Sequence, residues 1–245
     1  MRRGELRLSN GIDFTTTRRY EKLHTARFLT FGAFKRGFDL VAGATMLVGL
    51  SPVFLIVAIA IKIDSPGPVF FKQKRTGKNG KEFKMYKFRS MVADNDVRDK
   101  SCEDKYTRVG KKLRQTSIDE LPQLINVVKG QMSFIGPRPW IVEYWDNMTE
   151  EEQGRAKVRP GITGLAAAKG RNGLSVFEKI GYDLEYVKHY SLFMDVKVIA
   201  LTVKTVLTRE GASSNKGAIH NELEALKLRD YDKPAQRARN KGREK

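Results

Sequence analysis

Cysteine and histidine are scarce in this 245-residue chain, and their scarcity excludes two kinds of site. The single cysteine, Cys102, excludes an internal disulfide bond, which fits a protein of the reducing cytosol. The three histidines, His24, His189 and His220, are scattered and lack the spacing of zinc ligands. We therefore expect neither a disulfide framework nor a structural zinc centre.

Long apolar runs are also rare, since only residues 40–61 form one without a charged side chain. Its length is close to the ~20 residues that a membrane-crossing helix requires. No small-residue cleavage pattern follows it before Lys62, which argues against a cleaved signal peptide. The chain contains no internal repeat, and its length suits one globular domain with a membrane element and tails.

The apolar run is interrupted at its middle by Ser51 and Pro52. The proline removes a backbone donor and brings its ring against the carbonyl of Val48, which predicts a kink. Lysine and arginine mark the cytoplasmic flank of a membrane segment, and here they lie on both flanks. The pattern predicts a re-entrant helix over residues 35–63 that returns to the same face. The basic residues are Arg18, Arg19, Lys22, Arg27, Lys35 and Arg36 before it, and Lys62, Lys72, Lys74, Arg75, Lys78 and Lys81 after it.

The net charge of +18 predicts a polyanionic partner. Nucleic acid is disfavoured, because the basic residues do not alternate with aromatic residues and no DNA-reading motif is present. Anionic membrane lipids and phosphorylated substrates remain. Residues 1–34 form a basic arm in which a short helix around Tyr20 to Phe28 could lie on lipid. Residues 209–245 form a charged, flexible tail with a short helix near 221–228.

The remaining pattern predicts an α+β fold, a mostly helical cytosolic domain over residues 64–208 with a small β-hairpin. Residues 69–71 and 83–88 are predicted strands that flank a glycine-containing turn at 76–80. A surface loop is expected at 91–106, and helices at 118–129, 176–190 and 192–207. The apolar stripe of the last helix suits either the membrane interface or the protein core. Its residues are Phe193, Val196, Ile199, Ala200, Val203 and Leu207.

Two adjacent carboxylates, Asp119 and Glu120, stand at the start of the predicted helix 118–129. One interpretation is structural, because Ser117 followed by Glu120 is the sequence of a capping box. The other is functional. The positive field of the chain would keep both carboxylates ionised, so that one attacks phosphorus and the other holds Mg²⁺.

Several basic residues lie in or near proline- and glycine-rich turns, where a fixed guanidinium group suits phosphate oxygens. Spacing alone does not show that they converge on the carboxylate pair. The candidates are Lys87, Arg89, Arg114, Arg138, Arg159 and Arg171.

Three motifs follow the broken apolar run in a characteristic order: KFRSM at 87–91, SIDELPQLINVVKGQMSFIGPRP at 117–139, and RPGITG at 159–164. In this order they resemble the bacterial sugar transferase family. These are the monotopic phosphoglycosyl transferases, which start glycan assembly on a polyprenyl-phosphate carrier. The resemblance covers about residues 34–211, and the long middle motif is its most specific part.

The resemblance implies a re-entrant helix that holds the active site at the cytoplasmic face of the bacterial inner membrane. Asp119 would attack the sugar-linked phosphate of a UDP-sugar and expel UMP, and polyprenyl phosphate would then resolve the phosphosugar-aspartyl intermediate. Glu120 would hold Mg²⁺, and Lys87, Arg114 and Arg138 would lie near the substrate phosphates. This reaction initiates polysaccharide or glycoconjugate assembly, and a homodimer is left open.

The chain departs from the family after Gly164, where Leu165-Ala-Ala-Ala-Lys-Gly-Arg171 replaces a more usual Trp-Ala-Gln-Val-Asn-Gly-Arg. The arginine is kept, but an aromatic residue and two amides are missing, which affects the expected sugar preference more than the reaction. The chain also lacks the multi-span region of larger members and resembles the minimal form. The alternative to an enzyme is a basic, lipid-binding membrane-surface protein in which the carboxylate pair only caps a helix.

Overall fold

The computed structural model describes residues 18–92, 106–170, 173–208, 222 and 224–227. This part of the chain is mostly helical with two small sheets, which confirms the predicted α+β class. The helices are α1 (Arg18–Gly49), α2 (Ser51–Asp64), α3 (Arg108–Gln115), α4 (Gln123–Val128), α5 (Val142–Trp145), α6 (Glu150–Gln153), α7 (Leu165–Gly170), α8 (Val176–Lys188) and α9 (Leu192–Thr208). The strands are β1 (Phe70–Thr76), β2 (Glu82–Phe88), β3 (Ser133–Ile135) and β4 (Gly161–Thr163).

The first two helices are separated at the serine-proline pair, as predicted. Residues 29–49 and 51–64 are bent relative to each other by 59°. The hydroxyl of Ser51 donates to the carbonyl oxygen of Val48 at 2.7 Å, and Pro52 lies in the first turn of α2, where its missing N–H costs no helical bond. Among the described helices none alone is long and apolar enough to cross a membrane, whereas this bent pair meets that test by length and composition.

The predicted hairpin is confirmed and is longer than the sequence indicated. Strands β1 and β2 pair antiparallel from Phe70 opposite Phe88 to Thr76 opposite Glu82. Asn79 and Gly80 both have positive φ values, 56° and 76°, in the connecting turn. Phe88 is only 1% exposed and packs against Phe54 of α2 and Phe70 of β1, with ring centroids 5.2 and 5.5 Å away. The hairpin thereby fixes the second helix to the rest of the domain.

The continuous helix predicted for residues 118–129 is wrong in its first third. A single 3₁₀ turn at Ile118–Glu120 comes first, and α4 begins only at Gln123 after Pro122. The proline cannot continue the helical hydrogen bonding of the preceding turn. The apolar periodicity that predicted one helix therefore runs across both the 3₁₀ turn and α4. Gly130 ends α4 with a φ of 77°, as the sequence predicted.

The motifs at 117–139 and 159–164 contain the short parallel strands β3 and β4, which the sequence pattern did not predict. Ser133 of β3 lies opposite Gly161 of β4, and Ile135 lies opposite Thr163. A Cβ atom on Gly161 would lie 2.1 Å from the backbone nitrogen of Gly136, so the two backbones touch directly. This contact places the loop after β3 against the loop before β4.

The helices α8 and α9 occur close to the predicted ranges. One face of α9 is buried against α8, and its other face is exposed. On α9, Met194 and Val198 are buried in a core formed with Tyr186 and Val187 of α8. The apolar stripe of α9 faces outward instead, which favours the interface alternative over the core alternative. Its exposed members and their exposures are Phe193 79%, Val196 54%, Ile199 49%, Val203 53% and Leu207 77%.

The helix α1 is fixed to the domain by three polar side chains near its middle. Lys35 forms a buried ion pair with Asp195 of α9. Arg36 donates to the carbonyl oxygens of Val127 and Val128 at 2.6 and 2.8 Å. Asp39 accepts from the backbone N–H of Phe134 at 3.3 Å. Lys35 and Arg36, which the sequence suggested as basic flank residues, therefore make intramolecular contacts.

Some predicted segments fall partly outside the described residues. The structure does not describe residues 1–17, 93–105 or most of 209–245, so the predicted arm, surface loop and tail remain predictions there. Helix α1 begins at Arg18, so the backbone is already helical through the region predicted to lie on lipid, and no helix boundary falls at residue 35. The short helix predicted near 221–228 is present at residues 222 and 224–227.

The backbone contact at Gly161 gives a stability prediction. We expect Gly161→Ala to lower the free energy of unfolding by at least about 2 kcal/mol, because the new methyl group must displace backbone atoms. The matched control is Gly154→Ala, where the nearest atom to a Cβ is Leu184 Cδ2 at 3.5 Å, and where a change within about 1 kcal/mol is expected. Equal stability of the two variants in denaturant titrations would contradict the described contact.

Candidate active site

The carboxylate pair lies on a tight turn that begins with an unusual backbone conformation. After α3 ends, Ser117 adopts a left-handed conformation with φ 58° and ψ 15°, which is uncommon for a residue other than glycine. The N–H of Glu120 then donates to the carbonyl oxygen of Ser117 at 3.1 Å and closes the 3₁₀ turn. This reversal directs Asp119 inward, where it is only 6% exposed. Strained conformations of this kind are frequent at functional sites.

The capping box predicted from Ser117 and Glu120 is wrong. The Ser117 side chain makes no capping hydrogen bond, because its left-handed backbone is not the extended conformation of an N-cap residue. The Glu120 carboxylate binds two cations instead of a backbone N–H. The structural interpretation of the pair therefore loses its main support.

Two cations from distant parts of the chain meet at Glu120. Lys87, near the end of β2, places its Nζ 2.6 Å from Glu120 Oε1. Arg138, in the loop after β3, places a terminal nitrogen 2.7 Å from the same oxygen. Lys87 Nζ also lies 4.0 Å from Asp119 Oδ2. Of the basic residues suggested by the sequence, these two directly contact the pair.

The two carboxylates have opposite pKa shifts. Burial acts to raise the pKa of Glu120, but the charges of Arg138 and Lys87 outweigh it and hold this pKa well below its usual range. Burial raises the pKa of Asp119, and the neighbouring Glu120 adds to the increase, while Lys87 opposes it. The predicted positive field therefore outweighs burial at Glu120, whereas burial outweighs it at Asp119. Divergent pKa values in an adjacent pair are typical of groups with different chemical roles.

Arg114 also lies close enough to act on the pair. It is one of the positive charges that lower the pKa of Asp119. Its guanidinium group donates to the hydroxyl of Tyr106 and stacks over that ring at 4.8 Å from the centroid. Arg114 is exposed, so its guanidinium can reach a bound anion from the solvent side.

The other predicted phosphate ligands are placed elsewhere or lie outside the described residues. Arg89 is 5% exposed and donates to the carbonyl oxygens of Pro66 and Ser65 at 2.6 and 2.7 Å, so it fixes the connection between α2 and β1. Arg159 donates through Nε to the carbonyl oxygen of Gly130 at 2.9 Å, at the end of α4. Arg171 falls outside the described residues.

Arg75 is a site residue that the sequence analysis did not single out. Burial lowers its pKa to about 10, and the positive charge of Arg138 contributes to the decrease. Its NH1 donates to the carbonyl oxygen of Pro139 at 3.3 Å, and its buried Nε has no hydrogen-bond partner. In the sequence analysis, Arg75 was only one of the basic residues that follow the apolar run. Its burial, which only the structure reveals, singles it out, since a buried arginine requires a partner.

The donor set suits Mg²⁺ bound by few protein ligands. Among the described residues no group of three or more His, Cys, Asp or Glu side chains could hold a metal ion. Mg²⁺ is commonly held by one or two carboxylates together with substrate phosphates and water, which requires no such group. Both cation contacts of Glu120 are at Oε1, so a divalent cation would bind at the second carboxylate oxygen.

Comparison with known proteins assigns the chain to a family. The model of the bacterial sugar transferase family matches residues 30–209. The chain is 43% identical over 179 residues to "Uncharacterized sugar transferase EpsL" of Bacillus subtilis, an alignment that covers 72% of this chain and 89% of that relative. It is 46% identical over 182 residues to a UDP-glucose:undecaprenyl-phosphate glucose-1-phosphate transferase of Klebsiella pneumoniae, covering 69% of this chain but only 39% of that relative.

A relative from Caulobacter vibrioides, also named a UDP-glucose:undecaprenyl-phosphate glucose-1-phosphate transferase, is 40% identical over 190 residues. That alignment covers 73% of this chain and 71% of the relative. The family match includes the broken helix pair, the carboxylate turn, and the loops that carry Arg138 and Arg159. This chain is a member of the bacterial sugar transferase family.

Proposed function

We propose that this protein transfers sugar-1-phosphate from a UDP-sugar to polyprenyl phosphate, of the undecaprenyl class, and releases UMP. The observation that carries the proposal is the buried Asp119 beside Glu120, whose carboxylate binds both Lys87 and Arg138. Relatives named for glucose-1-phosphate transfer to undecaprenyl phosphate support it. The reaction would initiate polysaccharide or glycoconjugate assembly, and one relative is named an exopolysaccharide production protein.

In the first step, Asp119 acts as the nucleophile. A carboxylate oxygen attacks the phosphorus that carries the sugar, the bond from this phosphorus to the oxygen of UMP breaks, and UMP leaves. The product is a phosphosugar ester of Asp119. Arg138, Lys87 and Arg114 would neutralise the charge on the non-bridging oxygens.

In the second step, an oxygen of polyprenyl phosphate attacks the same phosphorus. The bond to Asp119 breaks, and the carboxylate returns to its starting state. Mg²⁺, when bound by Glu120, would supply positive charge across the diphosphate of the UDP-sugar. Glu120 suits this role because its lowered pKa keeps the carboxylate ionised.

We further propose that the protein rests on the cytoplasmic face of the bacterial inner membrane. The bent pair α1 and α2 exposes large apolar side chains, including Phe34 at 66%, Val48 at 76% and Ile63 at 82%. The outward stripe of α9 adds a second apolar surface. Large exposed apolar surfaces of this kind mark sites of membrane or protein contact. A water-soluble UDP-sugar would then meet a lipid-linked phosphate at the headgroup level.

The alternative of a lipid-binding protein without catalysis is less well supported. It treats Asp119 and Glu120 as a helix cap, and the capping geometry is absent. It also does not account for the convergence of Lys87 and Arg138 on a single carboxylate oxygen.

The nucleophile gives the most direct prediction. Asp119→Asn should lower UMP release by at least ~10³-fold, because an amide is a poor nucleophile. The assay contains the purified protein, Mg²⁺, undecaprenyl phosphate and a panel of UDP-sugars, which also identifies the sugar. The control Asp146→Asn changes an exposed carboxylate and should retain activity. Undiminished release by the first variant would refute the assignment, and no release by the parent with any UDP-sugar would favour the lipid-binding alternative.

The pKa of Asp119 predicts the acid limb of the pH profile. The raised pKa means that Asp119 loses its charge at a higher pH than an ordinary aspartate, so kcat/KM for the UDP-sugar falls as pH decreases through that value. Arg114→Ala removes a charge that lowers this pKa and should move the acid limb to still higher pH. Lys111→Ala, an exposed change on the same helix, should leave the limb in place. A limb that is unmoved in Arg114→Ala would contradict the described electrostatics.

The helix break predicts the topology. In the parent, an N-terminal tag and a cysteine introduced by Lys62→Cys in a Cys102→Ser background should both be protected from membrane-impermeant reagents in spheroplasts. Replacement of the break by Ser51→Ala with Pro52→Ala should straighten the helix and expose the tag in a measurable fraction of molecules. Thr45→Ala, on α1 before the break, is the control and should leave both sites protected. Protection of both sites in the double variant would show that the break does not depend on this pair.

A further inference from the structure

A short segment beyond the family match packs against the domain. Residues 222 and 224–227, here called the clasp, follow the matched range of 30–209. Leu226 has no exposed surface and Ala225 packs beside it. Leu226 is buried in a cluster formed by Trp140, Ile141, Tyr144, Met148, Val176 and Ile180. The clasp therefore covers the chain that follows the Gly-Pro-Arg-Pro motif.

Glu222 fixes the clasp at its first described residue. Its Oε2 accepts from the hydroxyl of Tyr144 at 2.9 Å, and its Oε1 forms an ion pair with Lys179 Nζ at 2.5 Å. Both side chains of the ion pair are about four-fifths buried, with exposures of 18% and 20%. One carboxylate thus joins α5, which carries Tyr144, to α8, which carries Lys179.

A continuous path of contacts leads from Tyr144 to Arg138. The ring of Tyr144 meets Trp140 edge to face at 4.9 Å. The guanidinium of Arg155 lies 4.3 Å from the Trp140 ring centroid and pairs with the buried Asp183. The same guanidinium donates to the carbonyl oxygen of Arg138 at 2.7 Å. The backbone position of Arg138 is therefore set by a group that packs on the aromatic pair under the clasp.

The opposite side of the same loop is held by strand β1. The N–H of Thr76 donates to the carbonyl oxygen of Trp140 at 2.9 Å, and the N–H of Gly161 donates to that of Pro137 at 3.0 Å. The loop that presents Arg138 is thus supported by β1 and β4 on one side and by the aromatic pair on the other. Release of the aromatic side would leave the loop with these two backbone bonds, the Arg75 contact to Pro139, and the ion pair of Arg138 with Glu120.

We infer that the clasp positions Arg138 for phosphate binding, which makes Glu222 a positioning residue of the reaction. The inference rests on the proposed function for its catalytic consequence, but its structural part is independent of it. Loss of Glu222 would leave Tyr144 without this acceptor and Lys179 without its partner, and would free the Trp140 and Arg155 stack to shift. Arg138 would then meet the substrate phosphates in a less favourable position.

A double-mutant cycle tests the catalytic consequence in the full chain. Glu222→Ala should lower kcat/KM for UMP release about tenfold when Arg138 is present. In an Arg138→Lys background, where the bidentate guanidinium is already lost, the same change should lower it less than twofold. Glu222→Gln keeps an acceptor for Tyr144 and should restore part of the loss. The control Lys227→Ala, an exposed change in the clasp, should have no effect. An equal fold loss in both backgrounds would show that the clasp does not act through Arg138 and would overturn the inference.

Amide hydrogen exchange tests the structural part without any turnover. Glu222→Ala should accelerate exchange of the Thr76 and Gly161 amides about tenfold, because both donate to the loop that carries Arg138. The Tyr86 amide, which donates to Asn126 Oδ1 at 3.0 Å, should keep its rate and serves as an internal control. Unchanged exchange at Thr76 and Gly161 would overturn the inference. A parent with no UMP release but with the predicted exchange pattern would instead refute the proposed function and leave the clasp standing.

Discussion

The contact between Arg36 and the end of α4 is the constraint on which the rest of this structure depends. The Arg36 guanidinium donates to the carbonyl oxygens of Val127 and Val128 in the last turn of α4, where helical N–H partners run out. Val127 also accepts from the N–H of Gly130 at 2.9 Å. Gly43, about two helical turns further along α1, allows close packing on the same two valines. Because α4 directly follows the carboxylate turn, these contacts join the broken helix pair to the element next to the candidate active site.

Features that depend on neighbouring residues were predictable from the sequence. The break at Ser51-Pro52, the hairpin around Asn79 and Gly80, and the ends of α8 and α9 follow from local sterics and periodicity. The outward stripe of α9 was also visible as a pattern, but its direction was not. Only the packing of the opposite face in the core showed that the stripe points outward.

Features that depend on distant residues were not predictable in this way. Lys87 and Arg138 converge on Glu120 across 33 and 18 positions of sequence, and Arg89 looked equally suited to that role before its carbonyl partners were known. The left-handed conformation of Ser117 was not predictable, because Ser117 followed by Glu120 is also the sequence of a capping box. The family resemblance identified the carboxylate pair, whereas Arg75 and the clasp became visible only through burial and contacts.

The double contact at Glu120 has a consequence for which anions the resting site accepts. Lys87 also lies 4.0 Å from Asp119, and both Lys87 and Arg138 already pair with the Glu120 carboxylate before any substrate arrives. A free phosphate would have to compete with that carboxylate for both cations. In the proposed reaction, a diphosphate with a bound divalent cation would offer a new partner both to Glu120 and to the two cations. We expect such a ligand to bind more readily than free phosphate, because fewer buried charges would be left unpaired.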